Sequence, residues 1–342
     1  MLTDEVPTAK NHAFSLTIDW LAFTLPDASA DEVTRLIGGD WTRAKGGFRG
    51  YPHAWIHSNH ARGVGLLGTA SPRRPREVHV DLSAGIVSSW ELVQIRTVLA
   101  WIFERQGHIT RLDCALDDRQ SFVPLEVVRA AADAGQCITR ADRVQVIQSF
   151  SLHKGTPSGY TIYFGSTQSQ TLLRVYDKRL ELRTKKLPQA EEYGIRWELE
   201  FKHDRAQLCG KCLVNLDEAD WKESIVGLLR AYVDFRDTTR DAEDEARSRA
   251  SRLPWYESLT NGFRAARLTV AQPEPDVDKV EGWISRSVAP MLAALCALPG
   301  GQTWMEQAIV DGADRWRDRH RKLVTKGNRK QSAPDHGPRP SS

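Results

Sequence analysis

Three short segments sort their side chains by parity, and this regularity limits the possible fold more than any other feature of the chain. In Arg111–Asp117 (RLDCALD), Arg111, Asp113 and Asp117 fall on one parity and Leu112, Cys114 and Leu116 on the other. In Leu172–Lys178 (LLRVYDK), Arg174, Tyr176 and Lys178 oppose Leu173 and Val175. In Ile195–Lys202 (IRWELEFK), Arg196, Glu198, Glu200 and Lys202 oppose Trp197, Leu199 and Phe201. Successive side chains of a strand point to opposite faces, so each segment reads as a strand with one charged and one apolar face. The expected fold class is α+β, an antiparallel sheet with helices on its apolar face. A plain solvated face is the bland alternative, but such a face mixes lysine, glutamate, threonine and serine. This one repeats arginine with carboxylates and sets a tyrosine among them.

The order of elements repeats. Ser15–Pro26 (SLTIDWLAFTLP) alternates like a strand, and Asp31–Ile37 carries helical spacing, an acidic first turn and a glycine stop. Three strand-like segments bounded by Gly and Pro follow, and then Trp90–Arg105 (WELVQIRTVLAWIFER) forms a long amphipathic helix. A second round starts with HITRLDCALDD as a strand and Val123–Gly135 as a helix, then continues through RVQVIQSF, SGYTIYFGS, TLLRVYDKRLEL and GIRWELEFKHD as strands. The expected architecture is therefore internally duplicated, with Asp19 matching Asp113 and Asp81 matching Glu198. From Asp217 the pattern turns helical. The expected domains are a flexible N-terminus over 1–11, a catalytic region over 12–215, a helical region over 216–325 and a disordered basic tail over 326–342.

Net charge is only +3 (47 Lys and Arg against 44 Asp and Glu), so affinity for nucleic acid must come from local clustering. One cluster runs from Arg315 through Arg317, Arg319, Arg321, Lys322, Lys326 and Arg329 to Lys330. A solvated helix end and non-specific DNA contact explain it equally well. The five cysteines are odd in number, and only Cys209 and Cys212 are close, so unpaired thiols are expected rather than a zinc site. The apolar run Val288–Leu298 is broken by Pro290 and is shorter than the roughly 20 residues a bilayer needs. The N-terminal residues lack a secretory pattern, which points to the cytoplasm.

Carboxylates on adjacent strands repel unless a cation lies between them. A hard divalent ion with oxygen ligands, Mg²⁺ or Mn²⁺, answers that need, with Asp113, Asp117 and Glu198 as its expected ligands and Glu200 as a substitute. A tyrosine beside arginine, lysine and such an ion is chemically pointed. An isolated phenol has a pKa near 10 and is a poor nucleophile until neighbouring positive charge favours the phenolate. The same cations would neutralise charge developing on phosphorus.

The run YTIYFGSTQSQTLLRVYDK (Tyr160–Lys178), with TRLDCALDD (Thr110–Asp118) before it and RWELE (Arg196–Glu200) after it, resembles the replication initiation factor family. That family includes rolling-circle plasmid initiators and relaxases of conjugative elements. The resemblance spans roughly residues 15–300. It rests on Gly-Ser, a serine three residues on, R-x-Y-D-K and R-x-E at this spacing. It implies a metal-dependent transesterase that nicks one DNA strand at an origin, becomes linked to the 5′ phosphate through tyrosine and leaves a 3′ hydroxyl. The nucleophile carries over to Tyr176, with Tyr163 and then Tyr160 as alternatives. Arg174, Lys178, Arg196 and Arg111 are the expected phosphate-binding residues. The His-hydrophobe-His metal motif of better-known rolling-circle enzymes is absent, and the nearest approach is His79-Val80-Asp81.

No G-x-x-x-x-G-K-[ST] phosphate loop occurs, so unwinding would fall to a separate helicase of the host or the element. The expected partners are origin DNA, double-stranded or locally single-stranded, and that helicase. A homodimer is left open, and no membrane is involved. The competing reading is a non-catalytic origin-binding or regulatory DNA-binding protein.

Overall fold

The computed structural model describes residues 14–59, 63–153, 155–240, 242–260, 268, 277–316 and 318–331. The expected flexible N-terminus over 1–11 lies outside them, as does the tail beyond 331.

The chain opens with β1 (Ser15–Leu25) and α1 (Ala30–Ile37). The Ser29 side chain caps α1 by accepting from the Glu32 backbone N–H, and Gly38 closes it. Then come β2 (Trp41–Arg43), β3 (His53–His57), β4 (Gly65–Ser71) and β5 (Arg74–Ser83), followed by α2 (Ala84–Val87) and α3 (Leu92–Glu104). The second round is β6 (His108–Asp118), α4 (Leu125–Asp133), β7 (Cys137–Thr139), β8 (Val144–Phe150), β9 (Pro157–Phe164), β10 (Thr171–Asp177), α5 (Lys178–Thr184) and β11 (Ile195–Lys202). After these lie α6 (His203–Val214), α7 (Glu218–Tyr232), β12 (Val233–Phe235), α8 (Asp244–Arg249) and α9 (Pro254–Leu259).

Ten strands form one antiparallel sheet in the order β2-β3-β4-β5-β1-β6-β11-β10-β9-β8. The order makes the duplication visible. In each half the first strand pairs with the last, β1 with β5 and β6 with β11, and the two first strands pair with each other at the centre. Ala22 lies opposite Asp81 in one half and Ala115 opposite Glu198 in the other, so Asp81 and Glu198 are equivalent, as expected. The equivalence of Asp19 with Asp113 slips by one, because a register shift between Ile18 and Trp20 leaves Asp19 as an extra residue and puts Trp20 opposite Asp113. Buried apolar positions in β1 accordingly switch from even to odd, from Ile18 to Leu21, Phe23 and Leu25.

The core lies under the apolar parity. Leu112, Cys114, Leu116, Leu173, Val175, Trp197 and Leu199 are fully buried, and α3, α6 and α7 cover that side of the sheet. Helix α3 turns Ile95, Val98, Leu99 and Ile102 inward at the i, i+3, i+4, i+7 spacing of an amphipathic helix. Trp197 packs edge-on against Phe235, with ring centroids 6.4 Å apart, and Phe235 in turn meets Trp255 at a tilt and Tyr256 edge-on.

These contacts cross the boundary expected near residue 215. Strand β12 pairs with β7, and Trp221, Ile225 and Leu229 of α7 are buried in the same core, so the compact unit runs to residue 270. Residues beyond it form a second unit with α10 (Val277–Trp283), a π-helical turn (Ile284–Val288), α11 (Ala289–Cys296), α12 (Gly301–Ala313) and α13 (Asp318–Gln331). Helix α13 includes 326–331, where a disordered tail was expected. The helical content after 216 is as read from the sequence, but its first part belongs to the sheet's core because only there can it cover the apolar face. All five cysteines are free. Among the described residues no helix is long and apolar enough to cross a membrane.

Candidate active site

Register places the charged parity of β10, β11 and β6 in rows across the sheet. Tyr176, Arg196 and Asp117 form one row. Arg174, Glu198 and Ala115 form the next, and Glu200 and Asp113 the one after, with Lys202 beside Arg111 beyond them. Five of the eight expected site residues, Arg111, Asp113, Arg174, Tyr176 and Glu198, join one hydrogen-bonded network.

Tyr176 donates its hydroxyl to Glu198 Oε2 at 2.9 Å, and Arg174 holds the other carboxylate oxygen. Arg174 also reaches Asp113 at 3.3 Å. Arg111 makes a forked pair with Asp113, the shorter arm 2.6 Å, and contacts Glu200 at 2.9 Å. The Arg111 guanidinium lies 4.0 Å from the centre of the Trp20 ring, whose indole N–H donates to the buried Asp81. A continuous polar chain therefore runs from Asp81 to Tyr176 across five strands. Burial, and next the Glu198 charge, raise the Tyr176 phenol well above its ordinary range. Burial also raises Asp113 to about 8, with Glu198 and Glu200 pushing the same way against the pull of Arg111.

Asp113, Asp117 and Glu198, the expected metal ligands, are each paired with an arginine. Guanidinium groups stand between the carboxylates, and among the described residues no group of three or more His, Cys, Asp or Glu is placed to hold an ion. The repulsion that a Mg²⁺ or Mn²⁺ ion was expected to relieve is relieved by arginine. Glu200, the expected substitute ligand, is likewise engaged by Arg111, Arg174 and Lys202.

Arg196 is 2% exposed and lies between Asp117, at 2.6 Å, and Asp19, so it cannot meet a phosphate from solvent. Lys178 does not lie on the strand. The Asp177 side chain accepts from the Leu180 backbone N–H and starts α5 there, so Lys178 is its first residue. Its ammonium contacts Glu181 at 2.8 Å and lies 5.6 Å from the Tyr176 ring centre. The signal for this turn was the Asp177 cap, which reading TLLRVYDKRLEL as one strand passed over.

The alternatives for the nucleophile separate by face. Tyr163 of β9 lies directly opposite Arg174, on the charged face, whereas Tyr160 packs against the core side. Asp81 is held by Trp20 and by Arg49 at 2.6 Å. His79 stacks on Phe48 and Tyr51 and shares a 2.9 Å hydrogen bond with Thr24. Sequence reasoning missed Asp19 as the partner of Arg196 and Trp20 as the platform under Arg111, since both depend on the β1 bulge.

The fold and this face define a class, an arginine- and carboxylate-lined antiparallel sheet presenting a tyrosine already bonded to a carboxylate. The chain belongs to the replication initiation factor family, whose model matches residues 107–309, the half that carries β6, β10 and β11. It is similar to a protein described as a putative DNA relaxase, NicK, from Bacillus subtilis strain 168, with 28% identity over 234 residues. That match spans 65% of this chain and 62% of the relative, less than two thirds of its length. A rolling-circle replication initiator protein from Geobacillus stearothermophilus shares the fold, with a TM-score of 0.60 and 20% identity over 75% of this chain and 98% of that one.

Proposed function

We propose that the chain nicks one strand of DNA at an origin by transesterification, with Tyr176 as nucleophile, serving as a rolling-circle initiator or relaxase. The observation that carries this reading is the Tyr176–Glu198–Arg174 arrangement. A nucleophile hydrogen-bonded to a base, with the base oriented by a third group, is the recurrent signature of an activated side chain. The phenol is protonated at rest. As its oxygen bonds to phosphorus, its proton passes to Glu198, the bond from phosphorus to the 3′ oxygen breaks, and that oxygen takes a proton from solvent. Arg174 fixes Glu198 for this transfer, and Arg111 and Arg174, both partly exposed beside the Tyr176–Glu198 pair, can meet the phosphate. A divalent ion, when bound, would neutralise charge at phosphorus, and the steps above are those of the chain's own residues.

The family membership and the likeness to a relaxase support DNA as substrate. Origin DNA and a separate helicase are the proposed partners. The test is to incubate wild type, Tyr176→Phe and Tyr163→Phe with supercoiled DNA of the chain's own element and Mn²⁺, then denature and look for protein on the 5′ end. Loss of the adduct in Tyr176→Phe alone supports the assignment. Loss in Tyr163→Phe alone moves the nucleophile one strand over, and no adduct with wild type sinks the nicking reading in favour of a non-catalytic binder.

A further inference from the structure

A cavity of about 930 Å³ lies at the end of β9, β10 and β11, on the side of the sheet away from Tyr176. Phe201 of the apolar parity and Leu228 and Tyr232 of α7 form its floor, while Arg140, Arg143 and Arg205 stand around it with Ser166 and Ser169. These serines belong to the G-S-x-x-S run that the sequence singled out and that the nicking chemistry leaves unused.

The three arginines differ from those on the charged face. Arg111, Arg174 and Arg196 are each bound to carboxylates, whereas none of Arg140, Arg143 and Arg205 is in an ion pair among the described residues. Arg143 donates to the Ser166 hydroxyl at 3.1 Å and Arg205 to the Leu268 carbonyl, both neutral acceptors. Asp142 is the one acid among the residues lining the cavity, and it too is unpaired there. Three guanidiniums against one carboxylate leave an excess of two positive charges around a cavity sized for a nucleotide.

The rim is built rather than incidental. Tyr232 donates to the Phe164 and Thr171 carbonyls, both at 3.0 Å, which ties together the strand ends that flank the serine loop. Gly165 opens that loop at φ +104°, where an added Cβ would come within 2.5 Å of the Tyr232 oxygen. On its other side the loop touches the charged face, because Lys202 donates to the Thr167 carbonyl.

We infer that this cavity is a second phosphate site, in which the arginines and the serine loop take a phosphoryl group of a nucleotide. Guanidinium forks and hydroxyl donors suit that ligand. The backbone of the DNA strand beyond the cut is its source. From Thr171 to Tyr176 is about 17 Å along β10 at 3.4 Å per residue, about five nucleotide steps at the rise of a duplex strand. A strand that crosses the serine loop from one face to the other needs at least that length to reach both places. The choice of DNA rests on the nicking reading, whereas the phosphate chemistry does not.

Arg140 and Arg143 are exposed, so the double variant Arg140→Gln/Arg143→Gln should fold. Binding of a labelled single-stranded oligonucleotide by full-length protein is followed by anisotropy from 50 to 300 mM salt, and ATP is titrated separately. The expected result is a 3- to 10-fold weaker oligonucleotide affinity for the variant. Its plot of log affinity against log salt should be shallower by about 1.4, from two lost contacts at about 0.7 each on single strands. ATP binding lost in the variant, with the oligonucleotide unaffected, keeps the phosphate site and assigns it to a free nucleotide. Unchanged affinity and slope with no ATP binding by wild type overturn the inference. The 5′-adduct assay, run in parallel on wild type, reads the nicking reaction independently, so its failure there sinks the nicking reading and leaves the phosphate site to the binding data.

Discussion

Tyr176 donates a 2.9 Å hydrogen bond to Glu198, its diagonal neighbour on the adjoining strand, and Arg174 grips the same carboxylate from the position directly opposite. In the proposed reaction Glu198 is the acceptor of the phenol's proton. Glu198→Gln keeps the shape but replaces the base with an amide, so adduct formation should fall about 10²- to 10⁴-fold, the usual contribution of a positioned base. Oligonucleotide affinity should stay within a few-fold. Single-turnover rates at saturating DNA give the comparison, and a near wild-type rate would remove Glu198 from the reaction.

Arg196 joins Asp19 and Asp117 where all three are largely out of water. Replacing it with Met strands two carboxylates, and breaking a buried pair this way costs about 3–5 kcal/mol. Urea unfolding should show that loss. Adding Asp117→Leu should restore part of it, since the uncompensated charge goes with it. If Arg196→Met unfolds at the wild-type midpoint, the pair has no structural role.

Asp113 sets a pH dependence. With its folded-state carboxyl raised to about 8, the native protein holds a proton through a window where the unfolded chain, near 3.9, has released it. The folded state therefore binds more protons, and stability declines as pH rises toward 8. His57, His79 and His108 have lowered values in the folded state, so through the same window they release protons on folding and oppose the decline. The Asp113 contribution, at most about 1.4 kcal/mol per pH unit, is therefore read as the difference between two profiles. Chemical denaturation across that window should show wild type losing stability relative to Asp113→Asn as pH rises. Parallel profiles would show that Asp113 is ionised in the folded protein.

Divalent ions give a fourth test. Since arginines occupy the gaps between Asp113, Asp117 and Glu198, Mn²⁺ titrated calorimetrically into DNA-free protein should bind wild type, Asp113→Asn and Asp117→Asn alike. A tenfold loss of affinity in either variant would restore that trio as ligands.

The antiparallel sheet was readable in advance because alternation is a local property. A strand with one face in the core must place apolar groups at every second position, and β10, β11 and the Leu112–Leu116 part of β6 do so. The same locality made α1, α3 and the duplicated order legible. Where a single residue breaks the period the reading failed. The extra Asp19 swaps the faces of β1, and the Asp177 cap turns Lys178 off its strand and into α5.

The sequence by itself determined which residues share the charged face, because parity needs no partner. Which of them meet was decided by tertiary structure, through register. Pairing β10 with β11 so that Arg174 faces Glu198 brings that carboxylate within hydrogen-bond reach of Tyr176, and pairing β11 with β6 so that Arg196 faces Asp117 buries that arginine between carboxylates. A carboxylate's role depends on which charge lies within about 3 Å of it, and on a sheet that distance is fixed by the neighbouring strands, which no single segment encodes.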